Sequence, residues 1–64
     1  MSNKAVLQEI RINEAEVFEQ IDKISNPTVI DMNGLTIYSG NHEEYGNCRL
    51  IVTAFAEAVL YFAK

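Results

Sequence analysis

The titratable side chains of this 64-residue chain gather in one place, His42-Glu43-Glu44-Tyr45, with Cys48 shortly after. Such a set could hold a metal, shuttle a proton or activate a thiol. Zinc ligands on a helix commonly recur at i,i+3 or i,i+4, whereas His42 and Cys48 stand at i and i+6. A thiol nucleophile needs a base and a third group that orients it, and His42 is the sole histidine. Two carboxylates just after Asn41 have a structural reason to be there, namely the positive end of a helix macrodipole. The segment therefore reads as a helix start, and no catalytic residue, metal ligand or cofactor-binding residue is assigned. The three glycines form no phosphate-cradling loop.

Charge removes another class. Five basic residues are scattered among nine acids, for a formal charge of −4. Binding to a phosphate backbone requires clustered Lys and Arg, so no nucleic-acid partner is expected. The apolar run from Leu50 to Ala63 is interrupted by Thr53 and Glu57 and is shorter than the roughly 20 residues of a membrane-spanning helix. No membrane partner is expected. No basic stretch followed by an apolar one opens the sequence, and the single Cys48 excludes an internal disulfide; both favour the cytoplasm.

The elements that would position these side chains are marked by turn formers. Thr28 to Ser39 reads as a hairpin closed by Asn33-Gly34 as a two-residue type I′ turn. Counting outward pairs Met32 with Leu35, Asp31 with Thr36, Ile30 with Ile37 and Val29 with Tyr38. Met32, Leu35, Ile30 and Ile37 then share one face, and Val29, Asp31, Thr36 and Tyr38 the other. Upstream, Asn13-Glu14-Ala15-Glu16 has the form of a capping box, with Ile12 placed to staple against Val17. The helix it starts carries Val17, Phe18, Ile21 and Ile24 and ends at Ser25-Asn26-Pro27. Residues 5 to 12 fit a strand or an earlier helical turn, with the cap favouring the strand.

A second helix is expected to begin after Asn41, with Glu44 as the acid at N3, or at Asn47 if Gly46 interrupts its first turn, and to carry the apolar stretch Cys48 to Lys64. On a helical wheel Arg49, Thr53, Glu57 and Lys64 share a narrow polar arc and apolar residues fill about 240° of the circle. The fold expected is a single α+β domain over residues 1 to 64, a two-stranded hairpin, possibly three strands, packed on two helices in the order β-α-β-β-α or α-β-β-α.

A helix so apolar exceeds what one small core can cover, and a chain of this size buries only about 60% of its unfolded surface. Oligomerisation is the remaining reinforcement. Val52, Phe55, Ala56, Val59, Phe62 and Ala63 are the expected dimer or partner interface. Val29, Asp31, Thr36 and Tyr38 form a candidate recognition patch, Tyr being favoured at interface centres. The function expected is a non-enzymatic homodimeric interaction module that regulates or inhibits a larger protein, of the accessory type carried by phages and mobile elements. The alternative is a small-molecule or nucleotide binder whose pocket at the dimer interface uses His42, Tyr45, Arg49 and Tyr61.

Overall fold

The computed structural model describes residues 7–55 and 57–63. It is an antiparallel sheet of five strands with one short helix, and so replaces the expected α+β arrangement of a hairpin on two helices. The strands are β1 (Leu7–Ile12), β2 (Ile24–Met32), β3 (Leu35–His42), β4 (Gly46–Thr53) and β5 (Ala58–Ala63). A 3₁₀ turn at Glu14–Glu16 leads into α1 (Val17–Asp22) between β1 and β2. The sheet order is β1-β5-β4-β3-β2, so β2 to β5 form a meander and the first strand closes it beside the last.

The correction falls on the C-terminal run. Residues 48 to 53 and 58 to 63 are strands β4 and β5, joined by a turn around Ala54 and Phe55, where a single helix was expected. Ile51, Val52, Thr53 and Val59 are β-branched, and branching at Cβ fits a pleated strand better than a helix. Thr53 closes the turn: its N–H donates to Glu57 O at 2.8 Å and its Oγ1 accepts from Glu57 N–H at 3.3 Å. Asn41 and Glu44 do not begin a helix either. Asn41 lies in β3, residues 43–45 form a turn, and Gly46 opens β4 at φ +75°, a value that Gly adopts without a Cβ penalty.

The first helix ends earlier than expected, at Asp22, and Ile24 with Ser25-Asn26-Pro27 belongs to β2 instead; the hairpin pairing and the first strand agree. The β2–β3 register is Met32↔Leu35, Asp31↔Thr36, Ile30↔Ile37 and Val29↔Tyr38, as counting from the turn requires. The turn itself is not type I′, because Gly34 has φ +69° and Asn33 is not in the positive-φ region. Residues 7–12 form a strand. Asn13 occupies the cap position of the 3₁₀ turn with no side-chain capping hydrogen bond, and Ile12 packs against the cluster that contains Val17.

Strand periodicity assigns every side chain to one of two faces. The face under α1 carries Ile10 and Ile12, Leu60 and Phe62, Leu50 and Cys48, and Tyr38 and His42. The core is there: Val17, Ile24, Cys48, Leu50, Ala58 and Leu60 are buried, with Leu50 and Leu60 fully so and opposite one another. A helix of six residues cannot shield both sides of a five-stranded sheet.

Candidate functional site

The cluster of titratable groups singled out in the sequence forms a corner between α1 and the β3–β4 turn. His42 ends β3 on the helix side and is buried. Its Nδ1 accepts the Glu44 backbone N–H at 3.0 Å. Because a backbone N–H can only donate, Nδ1 is bare, and Nε2 carries the proton that it donates to Gln20 Oε1 at 2.8 Å. Two further links tie the same corner. Glu43 N–H donates to Lys23 O at 3.0 Å, and Lys23 Nζ lies 3.2 Å from Glu44 Oε1.

Burial pushes the His42 pKa below its usual 6.5; the Glu44 carboxylate opposes the shift and Lys23 adds to it. Burial likewise raises the Cys48 thiol above its ordinary value, against a smaller opposing effect from its hydrogen bond to the His42 backbone. A buried, protonated thiol is a poor nucleophile, and both imidazole nitrogens are committed to partners that hold the fold. Among the described residues no three of His, Cys, Asp and Glu come together as a metal site. The corner fastens the helix to the sheet. Its rings extend the packing, with Tyr45 4.7 Å from His42 and stacked on Phe62 at 4.6 Å.

The reverse of the sheet has a different character. Strand registers place Ile30, Ile37, Ile51 and Val59 in one row running across four strands, ending at Arg11 on β1. Met32 and Leu35 flank the row on one side, and Ser39, Arg49, Tyr61 and Glu9 make a more polar row on the other. Among the described residues no element lies over this face. Ile30 is 46% and Met32 56% exposed, while Leu35, Ile37, Ile51 and Val59 are shielded only in part by one another. Contiguous exposed apolar surface of this kind marks interaction sites.

The expected interface residues are dispersed. Val52 and Phe62 lie on the helix side, Val59 and Ala63 on the open face, and Phe55 projects from the β4–β5 turn at 88% exposure. Ala56 falls outside the described residues. They shared a strip only on a helix that does not form. The four residues of the alternative pocket separate in the same way: His42 and Tyr45 sit in the corner, whereas Arg49 and Tyr61 pair across β4 and β5 on the open face.

Val29, Asp31, Thr36 and Tyr38 do come together as two cross-strand pairs, with Thr36 Oγ1 donating to Asp31 Oδ1 at 3.4 Å. They occupy the helix side of the sheet, and Tyr38 packs on the core. One contributor is not legible in the sequence: Gln20 carries no signal that distinguishes it from a solvated helix residue. Ile30 and Ile37 share one hairpin face, as their spacing from the turn requires, and that face points away from the helix.

No helix among the described residues is long and apolar enough to cross a membrane. The chain matches no family model, no curated protein and no solved structure.

Proposed function

We propose that this protein is a non-enzymatic, homodimeric interaction module of the cytoplasm that regulates or inhibits a larger protein, and that the open sheet face is the surface the larger protein covers. The observation that carries this reading is the aliphatic row Ile30, Ile37, Ile51 and Val59 with nothing over it among the described residues. Fully covering an Ile or Met is worth roughly 1.5–3 kcal/mol, whereas association costs on the order of 4–15 kcal/mol in lost freedom. One such side chain falls short of that cost. A row spanning four strands, flanked by Met32 and Leu35, can.

The test uses the intact protein purified gently from its own cells, with native mass spectrometry as the readout. Wild type is expected to carry one defined larger polypeptide in fixed stoichiometry. Ile51→Glu and Ile37→Lys, checked for unchanged circular dichroism, are expected to lose it. A wild type that carries no second polypeptide, or folded face variants that keep it, would overturn the reading.

A further inference from the structure

The two ends of the sheet are built differently. β2 ends it on one side and is blunted: Pro27 has no N–H to donate, the register slips between Ser25 and Thr28, and Asn26 is held at φ +44°. β1 ends it on the other side and is bare. It pairs with β5 residue by residue from Leu7 to Ile12 without a bulge, contains neither Pro nor Gly, and among the described residues no strand lies against its outer edge. An unprotected edge offers a row of unpaired backbone groups to another strand.

The sequence of β1 selects a second copy as that strand. In an antiparallel pair, facing residues lie on the same side of the sheet, so two identical strands related by a twofold axis must place some residue opposite itself. Centring on Glu9 opposes two carboxylates, and centring on Arg11 opposes two guanidinium groups. Centring on Gln8 or Ile12 shortens the overlap. Centring on Ile10 sets Ile10 against itself, Gln8 against Ile12, and Glu9 against Arg11 twice by symmetry. Opposite charges across a strand pair stabilise it, and like charges destabilise it. Glu9 and Arg11 are both exposed, and the one ion pair among the described residues is Lys23 with Glu44, so neither is paired with another described residue.

We infer that two copies join through their β1 strands, antiparallel about a twofold axis at Ile10, with Glu9 of each facing Arg11 of the other. This rests on the homodimer proposed above and specifies its interface. The product is one sheet of ten strands whose open faces are continuous, so the aliphatic rows of the two copies lie on a single surface.

The experiment is sedimentation equilibrium on wild type, Glu9→Arg, Arg11→Glu, the double variant Glu9→Arg/Arg11→Glu, and an equimolar mixture of the two single variants. Wild type is expected to dimerise, and each single variant to dimerise at least about tenfold more weakly. The double variant is expected to recover, because the pair is restored with its signs exchanged. The mixture is expected to form a heterodimer, since one chain then brings two guanidinium groups to the facing positions and the other brings two carboxylates; this also shows that the single variants are folded. Single variants that dimerise as wild type does, or a dimer broken by Ile51→Glu and indifferent to these charges, would overturn the β1 interface and leave the homodimer standing. A wild type that stays monomeric up to about millimolar concentration, where Kd corresponds to only ~4 kcal/mol, would remove both.

Discussion

Gln20 Oε1 and His42 Nε2 lie 2.8 Å apart and join α1 to the end of β3, the single side-chain hydrogen bond among the described residues that fixes the helix to the sheet through a buried ring. It depends on a neutral imidazole. Protonation would take the Nδ1 lone pair from Glu44 N–H and leave a charge in a site that excludes water.

The pH dependence follows in sign. The folded His42 pKa lies below the 6.5 of the unfolded chain. Above that value both states hold a neutral ring and the full contribution is present; below it the unfolded chain binds a proton that the folded chain resists, so stability falls as pH falls through the folded value. The urea midpoint is expected to drop between about pH 7 and pH 5, and His42→Gln to flatten that drop while costing roughly 1–3 kcal/mol at neutral pH. A wild-type midpoint that does not move over this range would contradict the assignment.

Gly40 lies where β2 bends. A Cβ there would come 2.6 Å from Ile24 Cγ2 and 3.1 Å from Ser25 O, too close for either to remain in place. Gly40→Ala is expected to destabilise by roughly 1–3 kcal/mol through overpacking. Urea denaturation measures it, and a neutral result would mean that the bulge between Ser25 and Thr28 yields at little cost.

Neighbours on β4 should respond in opposite ways. Leu50 is fully buried, and Leu50→Ala is expected to cost about 2–5 kcal/mol, most of the stability that a domain of this size commands. Ile51 points to the open face, and Ile51→Ala is expected to change stability by no more than about 1 kcal/mol. Denaturation of the two variants side by side reads this alternation, and comparable losses would contradict the face assignment.

The same open face explains why part of the fold was hidden in the sequence. A half-buried strand normally announces itself by alternating apolar and polar residues. In β4 and β5 the outward positions Ile51, Val59 and Tyr61 are themselves apolar, so alternation survives only around Arg49 and the run mimics a buried helix. The turn between them, at Ala54 and Phe55, contains no Gly, Pro, Asn or Asp to mark it. The register of the β2–β3 hairpin, by contrast, was legible because Asn33-Gly34 fixes where counting starts, although the strands run on to Ile24 and His42, past Thr28 and Ser39. Of the candidate site, the His42 cluster could be named in advance but its role could not, because its partner Gln20 is remote in sequence and joined to it only by the sheet. The aliphatic row required the register of four strands at once.

The sheet order also dictates a sequence of events in folding. β1 precedes every other described strand, yet among the described residues it pairs with β5 alone, and the pairing of Leu7 with Ala63 closes the chain between them into one long loop. The β2 to β5 meander can zip through successive short turns, while β1 must wait, since the entropy of so long a closure has to be met before its contacts reward it. Throughout that interval the strand has two vacant sides instead of one. Crowded nascent chains would then meet through the segment that the finished protein shows at its rim.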